Sequence, residues 1–135
     1  MTDIFISYSS NDREKVSKLA HELQLKGMKV WFDDEQIIPG DDLIEKIGNG
    51  ISSSKFYVIC LSPSFGKKPP TSWVKREFKM AMLKENREER TSIIPVRIKK
   101  GGSIPEEIGG RAYADLTTNS RWEKNFPKLC KALGA

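Results

Sequence analysis

The chain has 135 residues, 38% of them hydrophobic, 30% charged and 9% aromatic, which is the balance of one globular domain spanning 1–135. Its 23 Lys+Arg against 18 Asp+Glu leave a net charge of +5, spread along the chain with small knots at Lys67-Lys68 and at Arg97, Lys99 and Lys100. That dispersal argues against a nucleic-acid stripe. The apolar runs are too short to span a membrane, and MTDIFISYSS, with Asp3 and no basic stretch, does not read as a signal peptide.

In chain order, Asp3 to Tyr8 with its IFISY centre predicts a first strand. Asn11 to Lys26 predicts a helix, opened by Asn11 and Glu14 as a capping box and striped by Val16, Leu19, Ala20 and Leu23. Gly27 is its expected stop, and Met28 to Phe32 a second strand. The polar DDEQIIPGDD follows, with a Pro39-Gly40 turn and the apolar pair Ile37-Ile38. Asp41 and Asp42 then cap a helix striped by Leu43, Ile44, Ile47 and Ile51.

The run KFYVICL, Lys55 to Leu61, predicts a central parallel strand covered on both faces. Ser62 to Thr71 is expected as loop, and Ser72 as the cap of a helix running to about Lys84. Ser92 to Ile98 predicts a fourth strand, in which Pro95 requires a free hydrogen-bonding side or a shortened strand. Gly101 to Gly110 is expected to hold little regular structure. A short strand near Ala112 to Leu116 follows, then a helix opened by Ser120 and Glu123, ending near Leu133 and packed by Phe126, Leu129 and Leu133.

Strands alternating with helices predict a three-layer α/β domain of flavodoxin-like type, a five-stranded parallel sheet in the order 2-1-3-4-5 flanked by helices. In such folds ligands bind beyond the carboxyl ends of the strands. Attention therefore falls on Ser9–Ser10, Asp33–Asp41 and Ser62–Thr71.

Several chemistries find no residues. No GxGxxG follows the first strand and no GxxxxGK[ST] occurs, against a dinucleotide redox site and a P-loop. The strand ends lack the acids of a phospho-receiver. Cys60 and Cys130 form no CxxC and His21 is the sole histidine, which argues against a metal site and against Ser-His-Asp or Cys-His catalysis. The two cysteines read as buried thiols of a reducing, cytoplasmic setting.

One constellation remains. Trp73 and Glu77 stand one turn apart on a helix face, and the residues three and four positions from Glu77 are Trp73, Val74, Met80 and Ala81, none of them a cation. Burial raises the pKa of such a glutamate while the helix dipole lowers it, and spacing alone leaves open a glutamate whose head reaches water. A second carboxylate placed as in a glycosidase pair is not evident, and Asp33, Asp34 and Glu35 are the clustered acids at a strand end.

IFISYSSND at Ile4 to Asp12, VWFDDEQIIPGDDL at Val30 to Leu43, FYVICLSPSF at Phe56 to Phe65 and the WxxxE of Trp73 to Glu77 together resemble a Toll/interleukin-1 receptor (TIR) domain of the bacterial or archaeal kind, over nearly the whole chain. The resemblance implies the fold just described. It also implies cleavage of the nicotinamide–ribose bond of NAD, as substrate and without a further cofactor, to nicotinamide and ADP-ribose or a cyclised ADP-ribose. Glu77 would be the catalytic residue, with Tyr8, Ser9, Asp33, Asp34, Phe65 and Trp73 around the nucleotide. It implies self-association through the BB loop at Ile37, Ile38, Pro39 and Gly40. The same family holds non-enzymatic assembly scaffolds, the alternative reading, and recognition of a nucleotide without turnover is a third. Two departures stand out: Ser9 occupies a position where some relatives carry arginine, and Arg121-Trp122 is the nearest match to the family's C-terminal FW pair.

Overall fold

The computed structural model describes residues 3–31, 49–51, 53–68, 72–86, 92–108 and 110–134. Strand β1 (Ile4–Ser7) leads through a 3-10 turn at Ser10–Asp12 into helix α1 (Arg13–Leu25), followed by β2 (Val30–Trp31). Helical residues 49–51 precede β3 (Phe56–Leu61), the short helix α2 (Pro63–Lys67) and helix α3 (Trp73–Asn86). Then come β4 (Ser92–Arg97), a 3-10 turn at Glu106–Ile108, β5 (Ala114–Asp115) and helix α4 (Asn119–Ala132). The five strands pair in parallel in the order β2-β1-β3-β4-β5, as the sequence predicts.

The alternation of side chains along each strand sorts the core into two layers. Ile4 and Ile6 of β1 and Val58 and Cys60 of β3 face one way, where Val16, Leu19, Ala20 and Leu23 of α1 and Trp122 and Leu129 of α4 cover them. Phe5, Tyr57, Ile59 and Leu61 face the other way, under Phe65 of α2 and Phe78 and Ala81 of α3. The predicted stripe of α1 is wholly buried, and Leu129 and Leu133 pack α4 as expected, with Trp122 joining them and stacking on Phe126 at 6.3 Å. No helix among the described residues is long and apolar enough to cross a membrane.

The ends of the elements depart from expectation in instructive ways. Asn11 does not cap α1: it lies in the 3-10 turn and its amide donates to the Ser64 hydroxyl at 2.9 Å. The α1 stop is as read, with Gly27 at φ 87° and the Met28 amide reaching back to the Leu23 carbonyl. Ser62 to Thr71 is not all loop, because Ser62 caps α2 by accepting from the Phe65 amide at 3.1 Å, and Pro63 occupies the first turn, where no amide is required. Thr118 rather than Ser120 opens α4, its hydroxyl accepting from the Arg121 amide at 3.1 Å.

Pro95 sits inside β4 at no cost to the sheet. The Ser92 amide bonds to the Lys55 carbonyl just before β3 and the Ile98 amide to Leu61 at its end, so the alternation turns position 95 toward β5, which pairs only from Val96 onward. Below Pro95 that edge is closed by side chains. The Ile93 amide donates to Glu85 at 2.8 Å, and Arg111 donates to the Ile93 carbonyl at 2.9 Å while forking onto Glu85. The Arg111 guanidinium holds the Glu85 carboxyl below its ordinary range.

The backbone crosses closely at Gly102. A Cβ there would lie 2.7 Å from the Ser62 nitrogen and 2.8 Å from its Cα, whereas one at Gly66 would meet nothing within 4 Å. Gly102→Ala is expected to lower the unfolding free energy by roughly 1–3 kcal/mol in urea denaturation, with Gly66→Ala close to neutral. Equal midpoints for the two variants would contradict the close crossing.

Candidate active site

The carboxyl edge of the sheet is where this fold collects polar side chains. Ser7 is the last residue of β1 and lies two positions after Phe5, so it faces α3 from a layer whose other β1 and β3 positions are apolar apart from the Tyr57 hydroxyl. It is fully buried, in register with Ile59 and diagonal to Tyr57. Helix α3 begins beyond the end of β3 and runs back across the sheet, so its first turns hang over that edge. Glu77 stands one turn before the wholly buried Ala81, on the sheet-facing stripe.

The two elements meet where the Ser7 hydroxyl donates to Oε1 of Glu77 at 2.9 Å. Among the described residues this is the carboxylate's hydrogen bond, and no cation pairs with it. Burial, opposed by the Ser7 bond, pushes the Glu77 carboxyl up to about 7. Of the two tendencies left open by the spacing, desolvation wins, and the carboxyl group faces the sheet. The Tyr57 hydroxyl lies in the same layer, fully buried and without a well-formed hydrogen bond among the described residues. Burial, and then the nearby Glu77 charge, raise it well above the ordinary phenol value.

Beside this pair the strand ends are tied together. Ser9 is buried and its hydroxyl shares a hydrogen bond with Ser64 of α2 at 2.7 Å. Asp12, buried behind β1, accepts from Ser62 at 2.5 Å and pairs with Lys99 at 2.9 Å, joining the exits of β1, β3 and β4. Lys99 and Arg97 of the basic knot are thus engaged internally, Arg97 with the Gly102 carbonyl and the Tyr113 ring.

The other candidate residues divide three ways. Phe65 is buried beneath α3, edge-on to Phe78 at 6.5 Å, with the Lys75 ammonium 4.5 Å above its ring. It lies in the layer of Ser7 and Glu77 and floors that region. Tyr8 packs against the opposite layer, under α1, and its hydroxyl accepts from Arg13 at 3.2 Å, so it is not brought beside Glu77. Asp33 and Asp34, and Ile37, Ile38, Pro39 and Gly40, lie outside the described residues, as does the Trp73 side chain. Ser7, Tyr57 and Asp12 were missed in the sequence. A polar residue on the buried parity of a strand, at its carboxyl end, was the available signal for Ser7.

A family model described as TIR domain matches residues 4–130. The chain belongs to the TIR domain family. It is 38% identical over 95 residues to "NAD(+) hydrolase PdTIR" of Paracoccus denitrificans (strain Pd 1222), a match taking in 70% of this chain and 30% of that protein. It is 34% identical over 84 residues to "2' cyclic ADP-D-ribose synthase BtTIR" of Bacteroides thetaiotaomicron, covering 62% of this chain and 28% of that one. The chain thus spans less than a third of the length of these two relatives. In fold, this TIR domain is similar to the TIR domain of the Toll-related receptor TRR-2 from Hydra magnipapillata, with a TM-score of 0.80 at 20% identity and full coverage of both chains.

The raised Glu77 carboxyl has a consequence for stability. Its folded-state pKa of about 7 exceeds the ordinary carboxylate value, so folding takes up a proton between the two. The stability this group contributes is complete below the ordinary value and is lost as pH rises through about 7. Glu77→Gln removes the penalty for a buried charge. It is therefore expected to exceed the wild type in unfolding free energy by roughly 1–3 kcal/mol at alkaline pH, with the gap closing toward pH 5. Parallel stability curves from pH 5 to pH 8 (roughly the span over which this group titrates) would contradict the shift.

Proposed function

We propose that this TIR domain cleaves the bond between nicotinamide and ribose in NAD, with Glu77 as the catalytic carboxylate. The observation that carries the reading is a glutamate held over the carboxyl edge of a parallel sheet, where ligands of this architecture bind, with one oxygen fixed and the other without a hydrogen bond among the described residues. The activities that name the two bacterial relatives, NAD hydrolysis and cyclic ADP-ribose synthesis, support the same substrate.

The chemistry suits a single carboxylate. The nicotinamide of NAD is a cation, so when its glycosidic bond breaks, the bonding electron pair returns to the ring nitrogen and the leaving group departs neutral. No general acid is required. What needs stabilising is the positive charge developing on the ribose, and an ionised Glu77 that accepts hydrogen bonds from the ribose hydroxyls does so. Water then captures the sugar cation at its anomeric carbon and releases a proton, giving ADP-ribose. A hydroxyl of the same nucleotide attacking instead gives a cyclic product.

In this reading Ser9 lies at the edge of the nucleotide site and Phe65 beneath it. Asp33 and Asp34 line the ribose side, Trp73 walls the pocket, and Tyr8 supports the β1 exit from the other layer. Ile37, Ile38, Pro39 and Gly40 join copies of the domain into an assembly in which the site is completed. The two buried free cysteines fit a reducing compartment, the cytoplasm.

Nicotinamide release from NAD, followed across protein concentrations, tests the proposal. The wild type is expected to turn over with a rate per protomer that rises with concentration, and Glu77→Ala to lose roughly 100-fold or more. Equal rates for the two proteins would remove Glu77 from the reaction, and a concentration-independent rate would remove the assembly.

A further inference from the structure

We infer that Ser7 is the positioning residue of this site: by holding Oε1 of Glu77 against the end of β1, it presents Oε2 to the substrate ribose. The inference rests on the catalytic reading of Glu77 and goes beyond it, since it assigns the glutamate's orientation to a buried serine on a different element.

The geometry supports this in three ways. First, Ser7 is wholly buried, and the period of the strand aims it into a layer that is otherwise apolar along β1 and β3 apart from Tyr57. A hydroxyl in such a place needs a partner, and Glu77 is the partner at 2.9 Å. Second, no cation pairs with Glu77 among the described residues, and the donor that reaches it from them is the neutral Ser7 hydroxyl, which fixes the carboxylate's rotation. Third, the Tyr57 hydroxyl beneath is fully buried, lacks a well-formed hydrogen bond among the described residues and adjoins Ser7. A small rotation would let it donate to the Ser7 oxygen, orienting the Ser7 proton toward Glu77. The groups facing Glu77 among the described residues are therefore Ser7 from β1 and Tyr57 from β3, and among those residues no charged side chain contributes to its shift.

The Ser7 bond favours the ionised carboxylate, in opposition to burial. Its loss both frees the carboxylate to rotate and makes it harder to ionise. These effects separate a positioning role from a packing role, because the small cavity left by the missing oxygen would not by itself move the titration of Glu77 to higher pH.

The experiment is the pH profile of NAD cleavage by wild type, Ser7→Ala, Ser7→Thr, Ser7→Cys and Glu77→Gln. Ser7→Ala is expected to lower kcat about 10-fold with little change in KM, and to move the acid limb about 0.5–1 unit to higher pH. Ser7→Thr, which keeps the hydroxyl, is expected to restore both. Ser7→Cys keeps the size with a weaker donor and is expected to shift the limb in the same direction, so it carries the test if the alanine variant does not fold. An unshifted limb in a folded Ser7→Ala or Ser7→Cys, with Glu77→Gln inactive, overturns the Ser7 role alone. A fully active Glu77→Gln overturns the glutamate reading and this inference with it.

Discussion

The Glu77 carboxyl group lies between a helix and the carboxyl end of a parallel sheet, and the hydrogen bond it makes there comes from a neutral hydroxyl. Paired with lysine or arginine, the same group would ionise far below neutrality and form an ordinary structural ion pair. Placed in water it would be one of many surface acids. Desolvation, opposed by the Ser7 hydrogen bond, leaves it poised near 7, where protonated and ionised forms coexist at physiological pH. A poised carboxyl group costs stability whenever it is charged, and the fold bears that cost at the strand ends, where substrates bind in this architecture.

The rest of the molecule holds this arrangement still. Two apolar layers clamp the sheet, and strand parity decides which side chains reach α3. At the sheet edge, Ser62 caps α2 and also donates to the buried Asp12, whose other oxygen meets Lys99. Three strand exits are thereby fixed by one carboxylate. The close backbone crossing at Gly102 keeps the β4 exit tight against Ser62. At the far end of α3, Glu85 and Arg111 tie the helix to the open edge of β4. The helix that carries Glu77 is therefore anchored to the sheet at both of its ends.

Strand positions and helix stripes were legible because they depend on hydrophobic period, which dominates burial: Val16, Leu19, Ala20 and Leu23 are all buried, and KFYVICL supplies the central strand, while the sheet order followed from the alternation of strands and helices and the usual arrangement of such domains. Pro95 was legible in part: the sequence left open a free hydrogen-bonding side or a shortened strand, and the pairing of β4 shows the first. Caps were not. Asn11 has the chemistry of a helix cap but spends its amide on Ser64, a contact made by tertiary packing. Ser-Pro-Ser-Phe-Gly-Lys has the composition of a loop, yet Ser62 and Pro63 are good helix starters and the buried Phe65 holds the turn in place. Glu77 stood out through its spacing from Trp73 and the family pattern. Ser7 and Tyr57 did not: the buried parity of Ser7 at the end of β1 marks it as a polar residue in need of a partner, but only the sheet shows that this partner is Glu77 and that Tyr57 lies beside it.

The most direct test of the poised carboxylate needs no substrate. The Glu77 side-chain carbon is followed by NMR as pH is varied, with Glu77→Gln providing its assignment. Titration with a midpoint near 7 is expected from the burial against Ser7. A midpoint in the ordinary range near 4.5 would contradict it, and would mean that the carboxyl group is solvated as on any protein surface.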